Sequence, residues 1–600
     1  MRGAKIEKRY SIMKRSGELS QLLRSIDHKG YPAYKSLAGA YDFNDYILSI
    51  DHVQGDPFAA PSRLSILVPA RRAAFPAQLL DQPYKRTAAA DYVLRAFSRA
   101  IGRFAFKAGG SGKSGLIGVT RPGQEVLSRT ACEFTKDGLL VRFEVGFPAA
   151  GRTVLAGELE KILFDYLPKC AASSLRYPAL PSGEVEQAVF LSEDQQYIRG
   201  QLDSLGLCAF VADGSVLPRE SGVSDRPMEK AVPFSSPDSL AVTLKLPHRG
   251  QLRGMGIRKG ITLIAGGGYH GKSTLLKALE RGVYDHISGD GREFVITDAT
   301  AMKLRAEDGR KITNADISLF INDLPNKTDT RRFCTLDASG STSQAAAIVE
   351  GIEAGSRLFL IDEDTSATNF MVRDALMEEV VSKNHEPITP FLERARDLYE
   401  KAGISTILVV GSCGSYFYVA DTVLQMDGYR AFDITDNVAR VLKKHGEQRF
   451  CAEGFCLPKS ARVLPLTQKN TGKTPAENNQ RFSGKGRFDK DRSGGRPPRE
   501  HEHAKVKTLG KTSFMIDRDT LDLRYVEQLV DSEQTAALSY LLRYAKEHFA
   551  GSGMTLTALV DQLEALLDTK GLASICDSSY VPVGLSRPRR QEIFACFNRY

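Results

Sequence analysis

Eight consecutive residues constrain this chain more than any other feature: Gly266, Gly267, Gly268, Tyr269, His270, Gly271, Lys272 and Ser273 fit G-x-x-x-x-G-K-[ST] at every fixed position. Before them stands a β-branched apolar run, GITLIA at 260–265, and after them the helix-forming run beginning at Thr274, TLLKAL. A strand, a glycine turn and a helix in that order place backbone N–H groups at the positive end of a helix, where an anion is favoured. The pattern predicts a phosphate cradle, with Lys272 reaching the β- and γ-phosphates of ATP and the Ser273 hydroxyl a ligand of Mg2+. Such a loop belongs to an α/β fold with a mostly parallel sheet, and the alternation of apolar strands and helical runs across 240–442 agrees.

About ninety residues on, RLFLIDE at 357–363 reads as a buried strand ending in two acids. Asp362 is the candidate second Mg2+ position and Glu363 the candidate general base for an attacking water. Just before this strand, ASGSTSQ at 338–344 precedes a helix-like run at 345–351. Small hydroxyl residues and glycine at a helix N-terminus, here Ser339, Gly340 and Ser341, can grip a phosphate without steric obstruction. A capped helix with no ligand is the plainer reading of the same residues.

These strings resemble the ABC-class ATPases found in many bacteria and some eukaryotes, a family that includes a kinetoplastid mitochondrial RNA-editing factor. The resemblance is carried by GGYHGKSTLL from 266, DASGSTSQ from 337, DEDTSATNFM from 362 and EPITPF from 386, and by QGDPFA from 54 and GSGKSG from 110. It implies a homodimer in which Ser339 and Gly340 contact the ATP held by the opposite subunit, a D-loop at 366–369, and a Q-loop position at Asn322. Where ordinary ABC proteins usually carry a switch histidine, after the strand at 406–410, this chain has Gly411-Ser412-Cys413, and the resembled family generally lacks the histidine too. Ser412 is expected to donate one hydrogen bond to the γ-phosphate but can shuttle no proton near neutral pH, so slow turnover follows.

Length and composition set the surroundings. Six hundred residues imply several domains, and 42% hydrophobic with 26% charged residues is the balance of a globular protein. The expected organisation is an α+β N-terminal domain at 1–239, an ABC-type P-loop core at 240–442, a connecting segment at 443–466, a basic disordered linker at 467–511 and a small helical C-terminal domain at 512–600. Helical spacing over Leu523, Val526, Leu529 and Val530, continued by Ala537, Leu538, Leu541 and Leu542, supports the last of these. The start of the sequence lacks the apolar core of a secretory signal, and no apolar run is long enough to span a bilayer. Nine cysteines without a CxxC pair suggest a reducing compartment, and the cytoplasm is the expected location.

Most of the formal +9 charge sits at 469–511, with twelve Lys or Arg against five Asp or Glu. Phe482 and Phe488 lie among its arginines and glycines, a mixture suited to RNA and equally to a solubilising linker. The glycine loop at 110–115 lacks the spacing of a second P-loop; it reads as an anion nest or a plain turn. With Lys113, Arg142 and Arg152 it is compatible with a basic RNA-binding surface. An ATP-driven scaffold acting on a protein partner is the competing reading, and a transporter subunit ranks below both because so much chain lies outside the core.

Overall fold

The computed structural model describes residues 13–373, 380, 386–446, 448–459, 462–466, 504–576 and 581–600. Most of the basic segment expected to be a linker, 467–503, lies outside the described residues.

The N-terminal unit is a mainly antiparallel sheet whose central strands are Gly39–Asp42, Ile47–His52, Ser62–Pro69 and Gly138–Val145. Along Gly138–Val145 the odd positions Leu139, Val141, Phe143 and Val145 are buried, the period of two that a half-buried strand demands. The helix Pro83–Gly102 covers this face with Val93, Leu94, Phe97, Ala100 and Ile101, the three-and-four spacing of a helical stripe. Phe97 meets Phe143 edge-on at 5.6 Å, where the stripe and the alternation join.

The central unit holds a six-stranded sheet in which Met302–Leu304, Leu358–Asp362, Ser405–Val409, Ile261–Ala265 and Thr422–Asp427 run parallel, with Arg430–Asp433 antiparallel at the edge. Its middle strands are buried almost throughout because both faces are covered. The helix Lys272–Arg281 packs Leu275, Leu276 and Leu279 into the core beside Ile264, Leu360 and Val409. A second, antiparallel sheet orders Ala241–Leu246, Gly250–Arg258, Leu207–Ala212 and Val295–Thr297 side by side. The boundary expected between 239 and 240 therefore passes through one sheet, and Leu207–Ala212 belongs structurally with the central unit.

The C-terminal unit contains the expected helices, Ser532–His548, Leu556–Lys570 and Arg590–Asn598, and also a three-stranded sheet, Val506–Thr508, Ser513–Ile516 and Asp519–Asp522. The first strand lies inside the span read as linker. The helical spacing read from Leu523 to Val530 precedes the helix, because Asp531 caps it by accepting from the Glu533 N–H at 2.8 Å while Gln534 turns back to the Asp531 N–H at 3.3 Å. This unit is bonded to both others. Arg129 donates to Asp531 and Glu533, Tyr284 donates to the Gln528 carbonyl at 3.0 Å, and Arg590 donates to the Ala354 carbonyl at 3.1 Å. No described helix is long and apolar enough to cross a membrane.

Candidate nucleotide site

The glycine loop emerges from Ile261–Ala265 and feeds Lys272–Arg281, as the motif requires. Gly266 has φ 138° and a Cβ there would lie 2.4 Å from the Met426 carbonyl, so no side chain fits. Gly271, φ 100°, is the residue that caps the helix. Tyr269 adopts φ 65° with its side chain 99% exposed, a left-handed conformation that costs a bulky residue about 1 kcal/mol or more. The loop is braced by the turn between Thr422–Asp427 and Arg430–Asp433, whose Gly428 and Tyr429 both have positive φ. The Gly428 N–H donates to His270 Nδ1 at 3.0 Å and the Tyr429 N–H to the His270 carbonyl at 3.1 Å. Lys272 Nζ donates to the carbonyls of Gly266 and Gly267 at 2.7 and 2.8 Å, which holds its ammonium over the loop. The N–H groups of Gly267, Gly268, Tyr269, His270 and Gly271 donate to no acceptor among the described residues. The hydroxyls of Ser273 and Thr274 are likewise unengaged there, and Ser273 is exposed.

Parallel pairing brings the acids to the same edge. Ile264 and Asp362 are both in register with Val409 on the strand between them, so the loop and the acids leave the sheet at the same level. Asp362 is buried, and among the described residues its carboxylate accepts from the Asp364 N–H at 3.3 Å, while its carbonyl accepts from the Thr365 and Ser366 hydroxyls at 3.2 and 2.9 Å. Glu363 is held tightly: Oε2 accepts from the N–H groups of Gly411 at 2.6 Å and Ser412 at 3.2 Å, and Oε1 from the Ser412 hydroxyl at 2.7 Å. Burial pushes this carboxyl up, but the Ser412 hydroxyl and the backbone donors from Gly411 to Cys413 outweigh it and hold the group below the usual glutamate range. The Ser412 hydroxyl, expected from the sequence to face a γ-phosphate, is engaged in this structure by Glu363, the candidate base.

The helix Gly340–Glu353 begins five residues before the helical run read from the sequence at 345–351, with Ser339 at its cap, accepting from the Thr342 N–H at 3.4 Å. Ser339 is exposed, and the N–H groups of Gly340 and Ser341 have no acceptor among the described residues. A role the sequence reading missed falls to Gln344. Fully buried, it donates to the Ser366 hydroxyl at 3.0 Å and accepts from the Ala367 N–H at 2.9 Å, while Ser341 donates to Asn369 at 2.8 Å. The start of this helix thus clasps the segment that follows the two acids, and the only sequence signal was a glutamine heading an alanine-rich apolar run. Asn322 directs its amide to the Ser318 carbonyl at 2.7 Å and bonds neither the glycine loop nor the acids.

The second glycine loop is a structural turn. The N–H groups of Ser111, Lys113 and Gly115 donate to the carbonyls of Ala149, Pro57 and Gly146 at 2.7, 2.9 and 3.0 Å, which takes up three of the donors an anion nest would use. Arg142 is engaged by Glu133 and the Thr130 carbonyl, whereas Arg152 is exposed.

Comparison with known proteins covers nearly the whole chain. Residues 181–458 match the P-loop domain of ABC ATPases, 16–178 the N-terminal domain of ATPases of the ABC class, and 505–600 the MRB1590 C-terminal domain. An uncharacterised protein of Methanocaldococcus jannaschii is 33% identical over 258 residues, 42% of this chain and 55% of that protein, so the chain spans about half the length of this relative. Among solved structures, cbiO1 from Clostridium perfringens, part of the ABC transporter complex cbiONQ, is 12% identical over 40% of this chain and 93% of its own, with a TM-score of 0.25. An ATP-binding cassette of an ABC transporter in its ADP conformation is 11% identical over 39% and 94%, with a TM-score of 0.24. Three family models follow one another along the sequence, and the one over 181–458 contains the glycine loop, the paired acids and the capped helix: the chain belongs to the ABC-class ATPases.

Proposed function

We propose that this protein binds and hydrolyses ATP at a site completed by a second copy of itself, and that closure of the pair grips nucleic acid, most suitably RNA. The observation that carries the catalytic part is Glu363, anchored by three donors at the sheet edge that also launches the glycine loop. The unengaged N–H groups of residues 267–271 would receive the phosphates, and Lys272 would exchange its loop carbonyls for phosphate oxygens. Ser273 and Asp362 suit Mg2+, since one hydroxyl is unengaged and one carboxylate is loosely held; the ion would supply charge neutralisation on the phosphates. Glu363 would orient the attacking water and take its proton. A carboxylate held below its ordinary pKa is a weaker base, and Ser412 cannot relay the proton, so turnover is slow.

The exposed Ser339 cap with its unengaged Gly340 and Ser341 N–H groups supports the dimer, because among the described residues of one chain these donors have no partner. The basic segment supports the nucleic-acid part. Glu363→Gln is expected to keep ATP affinity, lose about 100-fold or more in hydrolysis and accumulate as an ATP-bound dimer by size-exclusion chromatography. Hydrolysis equal to the parent would remove Glu363 from this role. Binding of labelled RNA, followed by fluorescence anisotropy, should weaken steeply with salt, and deletion of 469–511 should flatten that slope. A flat signal with and without ATP would favour the protein-partner scaffold.

A further inference from the structure

A cavity of about 400 Å3 opens in the N-terminal unit, far along the chain from the nucleotide loop. Its walls come from the short helix Ala70–Ala73, the loop leading into Pro83–Gly102, and the hairpin of Cys132–Thr135 with Gly138–Val145. Phe75, Leu80, Phe134 and Leu139 give it an apolar lining, with Phe75 and Phe134 meeting edge-on at 5.0 Å. Volumes of this order hold a small organic molecule of one or two rings.

The polar residues in the lining are chiefly cationic. Arg86, partly buried, donates to the Leu80 carbonyl at 2.8 Å and has no carboxylate partner among the described residues. Its neighbour Lys85 shows the contrast, being matched by Asp81 at 3.3 Å and Glu193 at 3.5 Å. Arg86 also lies near the start of a 20-residue helix whose first turn carries no acid, so the helix dipole adds to an uncompensated positive charge. Lys136, exposed and without an ion-pair partner among the described residues, lines the same cavity. A guanidinium partly withdrawn from water is costly to leave without an anion, and an aromatic-lined recess beside it has no evident purpose in packing alone.

We propose that this cavity binds a small amphipathic anion: a flat apolar body against Phe75, Leu80 and Phe134, with a carboxylate or phosphate head on Arg86. The site is distinct from the nucleotide loop and does not depend on the reading of that loop.

The test uses the full chain and anilinonaphthalene sulfonate, an aryl anion that fluoresces when shielded from water. One saturable site per chain is expected. Arg86→Gln should weaken it at least tenfold and Ala70→Phe, at an exposed position of the wall, should block it, with thermal melting unchanged. Competition by phenylacetate against phenyl phosphate then distinguishes the head group. Binding unaltered by Arg86→Gln would overturn the proposal, as would uncharged N-phenylnaphthylamine binding as tightly as the anion. Should Ala70→Phe fail to fold, the Arg86→Gln titration and the uncharged probe still decide.

Discussion

Two loops in this protein are made of nearly the same residues, Gly-Gly-Tyr-His-Gly-Lys-Ser at 267–273 preceded by Gly266, and Gly-Gly-Ser-Gly-Lys-Ser-Gly at 109–115, yet their backbone donors are used differently. The first leaves a buried parallel strand and enters a ten-residue helix, and the N–H groups of residues 267–271 find no acceptor among the described residues. The second precedes only the two-residue strand Ile117–Gly118, and the N–H groups of Ser111, Lys113 and Gly115 are closed onto Ala149, Pro57 and Gly146. Even the Ser114 hydroxyl is engaged, donating to the Ser111 carbonyl and accepting from the Ala149 N–H. Unengaged donors at a helix N-terminus make an anion site; glycine, lysine and serine in a row do not.

The largest test of this contrast exchanges the two lysines for alanine. Lys272→Ala should weaken ATP binding by about 100-fold or more, since a point charge on the phosphates is lost. Lys113→Ala should leave ATP affinity within about twofold, because its backbone and not its ammonium builds the turn. Calorimetric titration of both variants decides it, and an equal loss in the two would collapse the distinction between the loops.

A smaller effect separates what the glycines are for. At Gly146, packed under the second loop, a Cβ would lie 1.7 Å from the Lys113 carbonyl, whereas at Gly268 it would meet nothing within 4 Å. Gly146→Ala is therefore expected to cost about 1–3 kcal/mol of stability with ATP affinity retained. Gly268→Ala should change stability by less than about 0.5 kcal/mol and act on ATP binding instead. Chemical denaturation together with nucleotide titration reads both; a stable Gly146→Ala would mean that the second loop is looser than its hydrogen bonds indicate.

Much of the central unit was legible in the sequence because its signals are local. A β-branched run before the glycine loop, a helix after it and acids at a strand end each occupy a few adjacent residues, and the parallel sheet joined them as expected. What was not legible depends on contacts between distant residues. Glu363 and Ser412 meet only because two parallel strands place Asp362 level with Val409, and nothing in either string announces that pairing. Gln344 reaches Ser366 and Ala367 in the same way. The C-terminal sheet escaped because its strands of three and four residues are too short for periodicity to register, and Val506–Thr508 sits at the end of a strongly basic segment. The spacing from Leu523 to Val530 misled because apolar residues in an irregular loop can mimic a helical stripe until a cap such as Asp531 sets the true start.

The smallest predicted effect compares the two serines that follow the lysines' logic, Ser412 beside the base and Ser114 inside the turn. Ser412→Ala removes the largest of the contributions that hold the Glu363 carboxyl down, so that carboxyl should rise toward its ordinary range. The sign follows directly. In the parent Glu363 stays ionised to lower pH than an ordinary glutamate, so the acid limb of hydrolysis lies low; in the variant protonation begins at higher pH and the limb moves up. Near neutral pH both forms are ionised, and the variant should differ from the parent by only a few-fold, gaining basicity while losing one of three anchors. Ser114→Ala changes no group near the acids and should leave the pH profile of kcat where it was while lowering the melting temperature. An acid limb unmoved by Ser412→Ala, or one moved equally by Ser114→Ala, would show that the hydroxyl on Glu363 carries no weight in setting the base.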